Sequence, residues 1–404
     1  MPQGDTTPAI AGGRPVRPEL LPFARPSLNV KDTAMVQQAL QGDLVVQPWL
    51  DMLEEKLAAY TGRRYAVAVA SGTAALHLAL AAAAIGPQEE VVLSPLAPPA
   101  AANAVLYMGA VPIFADVDPR TLTMDPAAVE QVLTERSKAV IAFHYAGRPC
   151  DMDAIAELAA RRNLTLIEDA TQALGATYNG HPAGSFGEIS CLGFHHRQGV
   201  CTGEGGAVVT DRADLADWLR LFRNLGLVED PAGLVANEGP WHREMQDLGF
   251  SYRLGPLEAA LGASQMERAG DFLSRRGAIA ARYDEAFRDE PLILPPRTPA
   301  TGDAHYLYPV RLVASRLKAG RREIFEAVRA ENISLDVHYL PVFRHPYQRW
   351  IGHPEFCALE NPFVHTEEAY ANLISLPIYP AMQEEDVDAV IQAVKKVLAY
   401  YAGG

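Results

Sequence analysis

Three short stretches carry residue types and spacings that could do chemistry. Ser71-Gly72-Thr73 stands between the apolar run Tyr65–Val69 and an apolar helical run. Small residues at such a turn let the backbone N–H groups of a helix N-terminus meet an anion, a phosphate above all. A turn with Ser and Thr also serves as an ordinary helix cap. Ile167-Glu168-Asp169-Ala170, followed by Gln172, closes a strand, and ligands of open α/β sheets gather outside the carboxyl ends of the strands. A carboxylate there could hold a ring nitrogen protonated and make the ring an electron sink, or it could cap the next turn. The third stretch, Phe194 to Thr210, reads FHHRQGVCTGEGGAVVT. Alone it is compatible with a glycine-rich hairpin; placed after the Asp169 unit, it makes three turns converge on one face. Its histidines, His195 and His196, are groups that titrate around neutrality.

The elements that must position these turns follow from periodicity. Val30–Gln41 and Pro48–Gly62 have apolar positions three and four apart and read as helices. Strands are predicted at Tyr65–Val69, Glu90–Ser94, Val111–Phe114, Ala139–Phe143 and Thr165–Glu168, with helices at Gly72–Ala83, Ala100–Gly109, Pro126–Leu133 and Met152–Arg162 between and around them. Strands alternating with helices mean an α/β fold, a mostly parallel sheet sandwiched by helices. Glu188–Phe194 and Ala207–Thr210 add two strands, and Leu254 to about Phe287 reads as one long connecting helix. Tyr306–Leu312 and Leu335–His338 as strands, then helices ending in Val387–Leu398, predict a smaller C-terminal α+β domain. The expected division is an irregular N-terminal arm over 1–29, a large domain over 30–265, and the connecting helix with the small domain over 266–404.

Bulk properties narrow the function classes. With 404 residues, 49% hydrophobic and 21% charged, the chain is long enough for a large domain and a smaller partner. The net charge of −14 argues against a general affinity for nucleic acid or an anionic membrane. Cys150, Cys191, Cys201 and Cys357 form no C-x-x-C pair, so neither a disulfide framework nor a metal site is expected. The start has no apolar signal stretch, and the longest apolar run, Ala74 to Ile85, is interrupted by His77 and too short for a bilayer. The expectation is a soluble cytoplasmic protein.

SGTAALHLAL, IEDATQALGATYNG, TGEGGAVVT and WHREMQDLGFSYRLGPLEAALG resemble the signature stretches of the DegT–StrS family of sugar aminotransferases, and the resemblance runs from about residue 14 to 400. VHYLPVFRHPYQR and ISLPIYPAMQEEDVDAVI are similar to the subgroup acting on nucleotide-linked 4-keto-6-deoxy sugars. The resemblance implies the type I aminotransferase fold with pyridoxal 5'-phosphate or pyridoxamine 5'-phosphate as cofactor. It makes Gly72 and Thr73 phosphate-binding groups, Asp169 the partner of the pyridine nitrogen, and Gln172 a contact to the ring hydroxyl. It also implies a homodimer with shared active sites, in which the stretch from Ser251 to Arg253 serves the neighbour. His338, Tyr339 and Arg344 fall in its sugar-side segment. The implied partners are a keto sugar or cyclitol, with glutamate or glutamine as amino donor.

The same resemblance puts Gln198 at the Schiff-base lysine position, four residues after Phe194 and five before Gly203. An amide can neither form an imine nor carry a proton. Loss of a positioned base costs about 10²–10⁴ in rate, and the covalent anchor goes with it. The family usually has Ser at Gly193 and often Asn at Ser251, both facing phosphate, and commonly an aromatic at Pro98. Gln198 is therefore either natural divergence or a replaced lysine in an ordinary enzyme. Three functions stay open: amino transfer to a keto sugar behind an altered site, a pyridoxamine-phosphate-dependent sugar dehydratase with His196 near the lost lysine, and a non-catalytic partner subunit of an active paralogue.

Overall fold

The apolar runs expected as strands pair into one seven-stranded sheet. A computed structural model describes residues 7–42, 44, 48–296, 300–350 and 363–403; Cys357 lies outside them. In chain order the strands are β1 (Tyr65–Val69), β2 (Glu90–Leu93), β3 (Val111–Phe114), β4 (Ser137–Phe143), β5 (Thr165–Asp169), β6 (Ile189–Gly193) and β7 (Gly206–Thr210). Their order in space is β1-β7-β6-β5-β4-β2-β3, with β7 antiparallel to both neighbours and the remaining pairs parallel.

Near-continuous Val, Ile, Leu and Ala in these strands reflects burial on both faces. Helices α1 (Val30–Gln41) and α2 (Pro48–Thr61) precede the sheet, and one sheet face, with Val67, Val91, Ile141, Phe143 and Ile167, packs under α3 (Gly72–Ala82) and α4 (Pro99–Tyr107). The other carries Ala66, Ala68, Leu192 and Val209 toward Leu53 and Leu57 of the helix Pro48–Thr61. Farther along that face, Val140 and Ala142 meet Ile155 and Leu158 of Met152–Arg162. Among the described residues no helix is long and apolar enough to cross a membrane.

The C-terminal part builds its own core. Strands Leu292–Ile293, Tyr308–Leu312 and Leu373–Leu376 form an antiparallel sheet in that order. Ile279, Tyr283, Phe287, Ile324, Val387 and Val394 pack with it. Two details differ from the sequence expectation. The long helix is two, Pro256–Met266 and Ala269–Phe287, because Arg268 leaves helical geometry (φ −115°, ψ 10°). There the Arg268 side chain reaches Asp32 and the Ser27 carbonyl, and Glu267 pairs with Lys31 and Lys56. Leu335–His338 is not a strand; Asp336 makes a single bridge to Ser375, and the pairing partner of Tyr308–Leu312 is Leu373–Leu376.

The arm is irregular but anchored. Buried Glu331 accepts the backbone N–H of Ala9 (2.8 Å) and Val16 (2.9 Å), and Leu21 enters the C-terminal core.

Candidate active site

The carboxyl ends of β5 and β6, the start of β7 and the turn after β1 meet at one edge of the sheet. They line a single open cleft. Ser71 closes the first wall. Its Oγ caps α3 by accepting the Ala74 N–H (3.1 Å), so this residue is the ordinary cap that its type suggests. Gly72 and Thr73, the first residues of α3, line the cleft, and the N–H groups at these positions have no intrahelical acceptor. Gly206 presses on this turn: a Cβ there would lie 2.6 Å from the Ser71 carbonyl oxygen and 2.8 Å from the Gly72 nitrogen. Both contacts are backbone and cannot swing aside. Gly206→Ala is therefore expected to displace the turn and weaken binding of a phosphate-ended ligand by about 10²-fold. Gly270→Ala, whose Cβ meets nothing within 4 Å, leaves it unchanged; a binding titration of the two variants checks this.

Asp169, the last residue of β5, forms the opposite wall. Its Oδ1 accepts the Thr171 N–H (3.1 Å) and hydroxyl (2.6 Å), while Oδ2 makes no hydrogen bond among the described residues. Burial raises the Asp169 pKa and outweighs the two Thr171 hydrogen bonds, which favour the charged form. A cationic group brought to this carboxyl would relieve its desolvation. Beneath it the neighbouring Glu168 is held rigidly: it accepts the Gly184 N–H (2.7 Å), the Phe186 N–H (2.8 Å) and the Ser190 hydroxyl (2.8 Å). His144 completes that shell. Its Nδ1 accepts the Cys150 N–H, which leaves Nε2 to donate to Glu168 at 2.9 Å.

Gln198 forms the floor. Its amide donates to the Thr171 carbonyl, and its Oε1 is buried without a hydrogen-bond partner among the described residues. An orphaned buried acceptor costs about 1–3 kcal/mol, so this site has room in its chemistry for an incoming donor. A Cβ on Gly193 would lie 2.8 Å from the Gln198 Nε2 and 3.2 Å from the Thr171 Cβ. Glycine at 193 and glutamine at 198 therefore fit each other. The turn carrying Gln198 is fixed from below by Arg276, which donates to the carbonyls of Arg197 (3.0 Å), His305 (3.0 Å), Tyr306 (3.1 Å) and Ile378 (2.8 Å). Burial pushes the Arg276 pKa down to about 10, so it stays charged at neutral pH.

Of the residues singled out in the sequence, Gly72, Thr73, Asp169, Gln172, Gly193, Gln198 and Tyr339 share the cleft wall. Gln172 and Tyr339 are bonded to each other: the amide of Gln172 donates to the Tyr339 hydroxyl (2.6 Å) and its Oε1 accepts the Ala146 N–H (3.2 Å). His196, Ser251, His338 and Arg344 are not in the wall. His196 is exposed and its ring lies tilted against that of His195, with centroids 3.9 Å apart. Ser251 is exposed. Arg344 is paired with Glu367 (Nε to Oε1 2.8 Å) over the ring of Tyr370.

His338 is buried, with Nδ1 2.9 Å from Ser375 Oγ and Nε2 3.2 Å from the Arg197 guanidinium. Burial is the largest cause pushing its pKa down to about 4; Arg197 adds to this and Asp336 opposes it. Its contribution to stability is therefore present above the ordinary value of 6.5 and lost as pH falls toward about 4. The loss is on the order of 2–3 kcal/mol. Urea midpoints at neutral pH and near pH 4 should fall further for the wild type than for His338→Gln.

His195, noted in the sequence, lines the cleft as well, while Thr171, Arg197 and Tyr306 line it and escaped sequence reasoning. Thr171 had a signal, since Asp-x-Thr is a spacing at which a carboxylate receives the N–H two residues on. Arg197 stands beside Gln198; nothing local marks Tyr306.

A family model described as the DegT/DnrJ/EryC1/StrS aminotransferase family matches residues 26–395. The chain is 37% identical over 385 residues to the spore coat polysaccharide biosynthesis protein SpsC of Bacillus subtilis, covering 95% of this chain and 98% of that protein. It is 37% identical over 352 residues to GDP-perosamine synthase of Caulobacter vibrioides, covering 85% and 89%. Among solved structures it superimposes on Helicobacter pylori PseC, an aminotransferase involved in the biosynthesis of pseudoaminic acid, with a TM-score of 0.85. The identity there is 26%, over 95% of this chain and 100% of that one.

Proposed function

Because the chain belongs to the DegT/DnrJ/EryC1/StrS aminotransferase family, we propose that its cleft holds pyridoxamine 5'-phosphate or pyridoxal 5'-phosphate and takes a keto sugar or cyclitol, with Gln198 where the family's lysine would stand. The observation that carries this reading is Asp169: a buried carboxyl with one oxygen free toward a cleft whose other wall is the N-terminus of α3. Gly72 and Thr73 would hold the phosphate. Asp169 would keep the ring nitrogen protonated, gaining the cation that its burial calls for. Gln172 would meet the ring hydroxyl with the amide that now bonds Tyr339.

Pyridoxamine phosphate, when bound, supplies an amino group and a ring that takes up electrons. The orphaned Oε1 of Gln198 fits an amine donor and would orient it without holding or moving its proton. Repeated amino transfer, with glutamate or glutamine restoring the amine, needs a base that this amide does not provide. Protein loaded with pyridoxamine phosphate and mixed with a nucleotide-linked 4-keto-6-deoxy sugar should thus bind the sugar and make at most traces of amino sugar by mass spectrometry. Sustained turnover would overturn the role given to Gln198.

Two properties go with the reading. Ser251 lies outside its own chain's cleft, and the segment before it exposes Trp241, Met245 and Leu248. Apolar side chains so exposed are commonly covered by a partner, which supports a homodimer in which Ser251 to Arg253 serve the second copy. Sedimentation equilibrium giving a monomer would exclude it. A second reading, a sugar dehydratase using pyridoxamine phosphate, is favoured by His195, which lines the cleft 3.8 Å from Glu204 and against His196. It requires solvent deuterium to enter the keto sugar. Exchange that persists unchanged in both His195→Ala and His196→Ala would remove the histidine pair from that role.

A further inference from the structure

A second pocket opens between the large sheet and the C-terminal lobe and shares no lining residue with the cleft. Three guanidinium groups from distant parts of the chain line it. Arg120 comes from the loop after β3, Arg148 from the loop after β4, and Arg311 from the strand Tyr308–Leu312. Among the described residues one carboxylate in the lining, Asp303, stands against them. It is taken by Arg148 (Nε to Oδ2 3.2 Å), whose Nη2 also donates to the Pro296 carbonyl.

That leaves positive charge over. Among the described residues the Arg148 Nη1 is buried with no hydrogen-bond partner. Arg311 is half-buried and its side chain makes no hydrogen bond or ion pair among the described residues; Glu368 and Asp118 act on it only through space. Arg120 is exposed and 3.6 Å from Asp118. Half-buried charge without a hydrogen-bonded counter-ion is costly, and burial accordingly lowers the Arg311 pKa. Leu122, Leu294, Pro295 and Pro309 supply apolar walls that limit the screening of Arg148 and Arg311 by water. In a chain of net charge −14, this cluster is a local exception to a field that repels anions.

We infer that this pocket is a second binding site, for a phosphate group, with Arg311 and Arg120 gripping its oxygens and Arg148 as the charged floor. Guanidinium forks match phosphate oxygens in pairs, and three of them suit a dianion better than a carboxylate. The phosphate is either free or the diphosphate of a nucleotide. The site is one backbone segment from the cleft: Ala146 in its wall donates to Gln172, and Tyr145 donates to the His338 carbonyl at 2.6 Å.

The test is calorimetry on the full chain with inorganic phosphate, pyrophosphate and a nucleoside diphosphate, at ionic strength held constant with chloride. Saturable binding is expected, at least tenfold weaker in Arg311→Gln and weakened in the exposed variant Arg120→Gln, whose folding is not at stake. Gly206→Ala, which disturbs only the cleft's phosphate turn, should leave it unchanged. Tighter binding of inorganic phosphate assigns the free anion, and tighter binding of the nucleoside diphosphate assigns the nucleotide; both support the site. Absence of saturable binding overturns it. So does binding that survives in Arg311→Gln and Arg120→Gln but is lost in Gly206→Ala, because the anion then sits in the cleft.

Discussion

Gln198→Lys is expected to raise amino transfer to a keto sugar by about 10²–10⁴-fold, the usual worth of a positioned base. The lysine amine could both bond the aldehyde of pyridoxal phosphate and carry a proton between carbons, and the amide does neither. The surroundings already suit an amine. The Thr171 carbonyl that receives the Gln198 amide would receive its N–H. Arg276 lines the chamber beneath and has no carboxylate partner among the described residues. A fixed positive charge of this kind disfavours a second one, so the new amine should be neutral at a lower pH than a free lysine, as a nucleophile must be. Gly193→Ser alone should be mildly harmful, because its Cβ crowds the Gln198 amide at 2.8 Å. Added to Gln198→Lys it should help, and this reversal of sign is the mark of a coupled pair. Turnover and the appearance of a visible absorbance band in the single and double variants check the prediction. A colourless, inactive double variant would contradict it.

Asp169→Asn is expected to lower any turnover of the Gln198→Lys enzyme by about 10²–10³-fold, the scale of losing one preorganised electrostatic contact in a water-poor site. Asparagine keeps the size and can still accept from Thr171, so the loss would come from charge rather than from collapse. An amide cannot hold a ring nitrogen protonated, and the ring then ceases to take up electrons. The fold should hold, since the buried network around Glu168 and His144 does not pass through the changed oxygen. Equal melting temperatures with unequal turnover are the expected pair of results.

The chain's own periodicity made much of this readable. Every strand of the large sheet was marked by a short apolar run, and the turns at Ser71–Thr73 and Asp169 were placed by the strands that precede them. What escaped depends on partners far away in sequence. The break at Arg268 exists because Asp32 and Ser27 pull its side chain across from the first helix, and no period shows that. Leu373–Leu376 is a strand because Tyr308–Leu312 lies beside it. The pairing of Arg344 with Glu367 depends on a later helix that no local pattern announces. The fit between Gly193 and Gln198 joins two residues that the sequence presents as separate departures, and only the distance between them relates the two.

The most direct test of the account is an equilibrium titration of the unaltered protein with pyridoxamine phosphate and with pyridoxal phosphate, followed by borohydride reduction and intact-mass measurement. The account predicts saturable binding of pyridoxamine phosphate, weakened by Gly206→Ala, and no mass gain at Gln198 from the aldehyde. Failure of both ligands to bind, or pyridoxal phosphate locked covalently onto the chain at the cleft, would contradict it.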